Sequence, residues 1–230
     1  MFKNIKMIYF DLDHTLWDFE KNSRVCLGIL YDKYLLKSNI DKNYFIDVYE
    51  KNNDILWEMY RKREIEVSKL KLKRFENTLD ELNYPYENNL IKKLNENYIN
   101  LLAEQDKTFD GTHEVLKYLK SKYEIGIITN GFKEIQFKKL KSANLDNFFK
   151  IIITSDSIGI PKPDKKIFDY AAKLSGFNHN EILYIGDDLQ TDVISSKKAG
   201  FESIWFNYKK KNTSEDVFQI HSLLELLNLL

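Results

Sequence analysis

Four short stretches of the chain carry reactive groups where extended backbone should end. In "MIYFDLDHT" (residues 7–15), four apolar residues are followed by Asp11, Asp13 and Thr15. Residues two apart in an extended chain point to the same side, so this run aims two carboxylates at one place. Like charges that close repel, and one pKa rises unless a cation lies between them. "ILYIGDDLQTD" (182–192) ends in Asp187 and Asp188, with Asp192 four residues beyond Asp188. "IGIITNG" (125–131) ends in Thr129, Asn130 and Gly131, and "GIPKPD" (159–164) presents Lys162 between two prolines. Several carboxylates with few imidazoles make a hard-oxygen set, which suits Mg²⁺ and not zinc. Mg²⁺ takes one or two carboxylates and a substrate phosphate oxygen. A hydroxyl, backbone amides near Gly131 and one ammonium suit the remaining phosphate oxygens. A carboxylate facing phosphorus can act as nucleophile, and a second carboxyl can protonate the leaving oxygen and then activate water.

These groups work together only if the fold brings four loops to one edge. From residue 112 onward, helical segments alternate with short β-rich apolar runs: "YEIGIITNG", "KIIITSD", "ILYIGDD" and "SIWFN". That alternation predicts a parallel, doubly wound α/β sheet with helices on both faces. Ligands of such sheets bind beyond the carboxyl ends of the strands, which is where all four stretches lie. Residues 16–105 carry only helical periodicity, as in "YFIDVYEKNNDILWEMYRKRE" and "NLIKKLNENYINLL", with Pro85 between two helices. "TDVISSKKAG" (191–200) reads as one helix; Gly176 and Gly200 read as helix ends, and Ser222–Glu225 as a capping box. The expected organisation is an α/β domain of residues 1–15 and 106–230 with an all-helical domain, 16–105, inserted after the first strand. The boundaries are placed at Thr15–Asp18 and Glu104–Gly111.

Each stretch alone has a plain structural reading: a turn, a solvated loop or a helix cap. In this order and at these strand ends, "DLDHT", "TNG", "PKP" and "GDDLQTD" resemble the four motifs of the haloacid dehalogenase superfamily. The inserted helical block matches the position of that family's cap. The resemblance implies Asp11 as nucleophile and Asp13 as general acid/base, Asp13 also offering a backbone carbonyl to Mg²⁺. It implies Thr129, Asn130 and Lys162 as phosphate-binding groups and Asp187 as a metal ligand with Asp11. Thr15, Asp188 and Asp192 support them. The family's carbon–halogen hydrolases need no Mg²⁺ and lack the second aspartate, so Asp13 favours phosphate esters.

A finer resemblance, carried by "DHTLWDFEKNS" (13–23) and "LWEMYRKREIEVSKLKLKRF" (56–75), is to the superfamily's pyrimidine 5′-nucleotidases. His14 departs from it, standing where many relatives carry Gly or Asp. Trp17, Trp57 and Arg74 are the candidates for substrate contact. Trp57, Tyr60 and Phe75 at helical spacing equally fit a core, and Arg61, Arg63 and Arg74 a solvated face. The implied activity is a Mg²⁺-dependent phosphomonoester hydrolase. A sugar-phosphate or phosphoglycolate phosphatase is the alternative, and a receiver-like phosphate-accepting module a third reading, opposed by the long insertion.

Composition is compatible with this. Lys+Arg and Asp+Glu are equal at 35 each, which gives no electrostatic case for nucleic acid or an anionic membrane as partner. The partner expected is a small phosphate ester. One cysteine, Cys26, allows no internal disulfide or Cys-based zinc site and reads as a buried thiol. The apolar run that stops at Asp11 is too short for a signal-peptide core, so a cytoplasmic setting is expected.

Overall fold

The computed structural model describes residues 2–230. Its sheet is built from β1 (Met7–Phe10), β2 (Glu124–Thr129), β3 (Ile151–Thr154), β4 (Ile182–Gly186), β5 (Glu202–Phe206) and β6 (Gln219–Ile220). These strands, among the described residues, are all parallel and lie in the order β3-β2-β1-β4-β5-β6, with helices on both faces. β1 and β4 are buried at every position, as the unbroken apolar runs of central parallel strands require. The register pairs Phe10 with Ile127 of β2 and with Ile185 of β4, so β4 runs one residue and β2 two residues beyond the end of β1.

The chain divides into two compact units, one formed by residues up to Phe19 with Asp106–Leu230, the other by Glu20–Gln105. Leu16 and Asp18 are tied by backbone hydrogen bonds to Phe109 and Lys107, which holds this turn within the α/β unit. Four helices supply the second unit: α1 (Phe19–Tyr34), α2 (Lys42–Arg61), α3 (Val67–Glu81) and α4 (Asn88–Glu104). Asp41 caps α2 by accepting from the Tyr44 amide at 2.9 Å. Inside, the rings of Tyr49, Phe75 and Tyr98 pack with centroids 4.8–5.8 Å apart. Cys26 is buried in α1. Among the described residues no helix is long and apolar enough to cross a membrane.

The α/β unit adds α5 (Thr112–Lys120), α6 (Lys133–Ser142), α7 (Ser155–Ile158), α8 (Lys165–Ser175), α9 (Ser195–Ala199) and α10 (Leu226–Leu229). Three details differ from the sequence expectation. β3 stops at Thr154 and does not reach Asp156, whose carboxylate oxygens both accept from the Lys133 amide at 3.0 Å and cap α6. The helix expected at 191–200 is a π-helical turn, Leu189–Ile194, followed by the short α9. Asp188 caps this turn, its side chain accepting from the amides of Gln190 and Thr191 at 2.9 and 2.8 Å. Two-residue β6 is too short to show any periodicity and extends the sheet beyond β5.

Below the sheet edge, Phe168 of α8 is fully buried, edge-on to Tyr184 at 5.6 Å and to Phe201 at 5.7 Å. Truncating it leaves a cavity that rigid neighbours cannot fill. Phe168→Ala is expected to lower unfolding free energy by about 3–5 kcal/mol, measured by urea denaturation. A loss below about 1 kcal/mol would contradict this packing.

Candidate active site

The ends of adjacent strands β2, β1 and β4 put Asp11, Thr129 and Asp187 at one edge. Asp11 follows β1, its amide bonded to the Ile185 carbonyl at 2.9 Å. Thr129 closes β2, and Asp187 follows β4. Lys162 enters from the loop before α8 and is 3% exposed. Its ammonium donates to Asp11 Oδ1 at 2.6 Å, Asp192 Oδ1 at 2.7 Å and the Tyr184 hydroxyl at 2.8 Å. Three donors and three acceptors meet, and the ammonium is saturated. The Tyr184 hydroxyl in turn donates to the Ile128 carbonyl at 2.8 Å.

Asn130 is committed differently from the expected contact with phosphate. Its side-chain amide donates to the Lys162 carbonyl at 3.0 Å and accepts from the Lys162 amide at 2.8 Å. This reciprocal pair straps the Lys162 loop to the end of β2. Thr15 donates to Asp187 Oδ1 at 3.3 Å, and the indole of buried Trp205 donates to the Asp187 carbonyl at 2.8 Å. Asp192 Oδ2 accepts from the Asp188 amide at 3.2 Å, a bond made across the π-helical turn.

Asp11, Asp187 and Asp192 each bring a carboxylate oxygen within 4.8 Å of the others. Burial, first of all, pushes the Asp11 carboxyl up to about 7, against the lowering effect of Lys162; Asp192 and Asp13 add repulsion. Burial pushes Asp187 well above the usual carboxylate range, with Asp192 and Asp11 next in effect. Asp192 is raised by burial despite Lys162. Three carboxylates therefore face one ammonium, with Asp11 and Asp192 buried and Asp187 half-buried. An all-oxygen donor set with excess negative charge fits a hard divalent cation such as Mg²⁺. The side chain of Asp13 lies outside this cluster: Lys139 donates to its Oδ1 at 2.6 Å and Gln136 to its Oδ2 at 2.9 Å.

Of the other candidates, Trp17 is fully buried in the α/β unit under the Lys139 ammonium. Trp57 is half-buried in α2, edge-on to Tyr60 at 5.5 Å, while Phe75 is fully buried. The solvated-face reading of Arg74 is corrected: it is 4% exposed, its charge stacked over Tyr98 at 5.2 Å. Its Nη2 donates to Asn95 at 3.2 Å and its Nε has no hydrogen-bond partner. The register of α3 is the reason, since Arg74 falls on the inward stripe beside Phe75 and Thr78. Arg63 is exposed and Arg61 half-buried.

Sequence reasoning missed Gln136, Lys139, Tyr184 and Trp205. Gln136 and Lys139 did leave a signal, as polar residues on the same helical stripe as buried Leu140. Tyr184 and Trp205 read simply as strand apolar groups.

The geometry agrees with the comparisons. A family model described as haloacid dehalogenase-like hydrolase matches residues 8–206. The chain belongs to that family. The pyrimidine 5′-nucleotidase YjjG of Escherichia coli is 32% identical over 227 residues, covering 97% of this chain and 96% of its own. A glyceraldehyde 3-phosphate phosphatase of Pyrococcus abyssi is 31% identical over 207 residues, covering 90% and 83%. Among solved structures, Bacillus subtilis YfnB bound to magnesium is similar at a TM-score of 0.88 and 26% identity, over 98% of each chain.

Gly186 gives the site a structural test. A Cβ there would lie 2.3 Å from Asp192 Oδ2 and 2.7 Å from Asp192 Cβ, so only glycine leaves that carboxylate its place. Gly186→Ala is expected to remove most hydrolase activity; a variant that melts as the parent does by calorimetry and keeps full activity would refute the role given to Gly186.

Proposed function

We propose that the chain is a Mg²⁺-dependent phosphomonoester hydrolase that works through an aspartyl-phosphate, with pyrimidine nucleoside 5′-monophosphates as substrates. The observation that carries the reading is the Asp11–Lys162–Asp192 array beside Asp187, with a second carboxylate, Asp13, held separately. Asp11 and Asp187, with the Asp13 backbone carbonyl and support from Asp192, are the groups assigned to Mg²⁺. When bound, the ion supplies Lewis-acid polarisation of a phosphoryl oxygen and offsets the repulsion among the carboxylates.

The chain's own residues then divide the work. An Asp11 carboxylate oxygen attacks phosphorus, and the bond from phosphorus to the ester oxygen breaks. Asp13 gives that oxygen its proton, so that an alcohol leaves. Asp13 next takes a proton from water, whose oxygen attacks phosphorus, and the acyl-phosphate bond breaks to regenerate Asp11 and release phosphate. Thr129 and Lys162 hold phosphoryl oxygens throughout, and Asn130 holds Lys162.

Likeness to YjjG over nearly the whole of both chains supports nucleotides as substrates. Likeness to the Pyrococcus abyssi enzyme supports a sugar phosphate as the second reading. A panel of phosphate esters separates them: rates on UMP and dTMP should exceed those on glyceraldehyde 3-phosphate and phosphoglycolate. Phosphate release should stop in EDTA, return with Mg²⁺, and fall by several orders of magnitude in Asp11→Asn. Full turnover by that folded variant would rule out Asp11 as nucleophile.

A further inference from the structure

Outside the four strand-end motifs, one turn of α6 reaches into the same site. Gln136 and Lys139 are three residues apart, share a face of the helix and are 1% and 3% exposed. Their hydrogen bonds can be followed atom by atom. Lys139 Nζ donates to Asp13 Oδ1 at 2.6 Å and lies 4.3 Å from the ring centre of Trp17 and 5.3 Å from that of Phe19. Gln136 Nε2 donates to Asp13 Oδ2 at 2.9 Å and to Thr129 Oγ1 at 2.8 Å, which uses both of its protons. Thr129 Oγ1 also accepts from the Gly131 amide at 3.1 Å. A hydroxyl has two lone pairs and one proton, so with both lone pairs engaged Thr129 is left as a donor only.

The arrangement carries structural costs. Gln136 Oε1 is buried without a hydrogen-bond partner, and a Cβ on Gly131 would lie 2.2 Å from Gln136 Nε2. The Lys139 ammonium is withdrawn from water for one carboxylate and two aromatic faces. For packing alone an apolar side chain would serve as well or better.

We propose that Gln136 and Lys139 are positioning residues for the phosphoryl chemistry. Lys139 sets the carboxylate of Asp13 for proton transfer with the ester oxygen. Gln136 sets Thr129 as an obligate donor to a phosphoryl oxygen and links that oxygen's site to Asp13. The inference rests on the reading of Asp13 as acid/base and of Thr129 as a phosphate-binding group.

The two roles separate by leaving group and by product affinity. A nucleotide's 5′ oxygen needs a proton as it leaves, whereas p-nitrophenolate leaves without one. In Lys139→Met, kcat/KM on UMP should fall at least tenfold while kcat/KM on p-nitrophenyl phosphate changes less than threefold. Lys139→Arg, which keeps the cation, should recover most of the UMP rate. In Gln136→Met, the inhibition constant for inorganic phosphate should rise at least fivefold, and in Lys139→Met it should not. Equal losses on both esters, or no loss on either, would overturn the role of Lys139. An unchanged phosphate constant in folded Gln136→Met would overturn that of Gln136, and melting curves monitor folding in each variant. Asp13→Asn is the control: if it keeps full UMP turnover, the reading of Asp13 itself falls. If it is inactive while Lys139→Met equals the parent, only the positioning inference falls.

Discussion

A saturated ammonium buried among carboxylates is the constraint on which the rest of the α/β unit depends. Lys162 meets Asp11 and Asp192 at 2.6 and 2.7 Å with almost no exposure to water. Withdrawing each ion from solvent costs several kcal/mol, and charges 4 Å apart at an effective dielectric of about 20 attract by roughly 4 kcal/mol. One lysine between two carboxylates therefore comes near balance. The third carboxylate, Asp187, is raised well above the usual range by burial together with its neighbours' charge. The set carries more negative than positive charge, which fits a hard divalent cation.

Holding such an array open demands a backbone that does not relax around it. Three adjacent parallel strands in fixed register bring Asp11, Thr129 and Asp187 to the same edge. Asn130 then closes a two-bond strap onto the backbone of Lys162. A π-helical turn after β4, capped by Asp188, rotates Asp192 back towards Lys162, and Gly186 leaves room for it. Each device is local and each involves a different loop. Side-chain direction is thus fixed by hydrogen bonds at the strand ends, while the sheet supplies only the common edge.

Much of this was legible in the sequence because it follows from period and order. Apolar runs alternating with helices specify a parallel sheet, and strand ends specify where ligands bind. The four motif stretches fall at or beside strand ends of that sheet for this reason. What was not legible depends on register within a helix or on one hydrogen bond. A π-helical turn at Leu189–Ile194 interrupts the regularity of 191–200, which periodicity does not record. Asp156 ends β3 because it caps a different helix. Arg74 lies in a run dense with lysine, and only the rotation of α3 separates its buried position from the exposed Lys73. Lys139 was passed over for the same reason, as one lysine among several in α6.

The difference between what the motifs specify and what they leave open has a chemical origin. Asp11, Asp13, Thr129 and Lys162 are assigned to a phosphorus atom, its oxygens and the one bridging oxygen. Those atoms are identical in a nucleotide, a triose phosphate and phosphoglycolate. Selection among esters must come from groups that meet the part of the substrate beyond the bridging oxygen, and these need not follow the order of the motifs. That is why relatives with different substrates, YjjG and the Pyrococcus abyssi phosphatase, match this chain at nearly equal identity, 32% and 31%. Sequence identity summed over the chain mostly counts the scaffold and the phosphoryl chemistry.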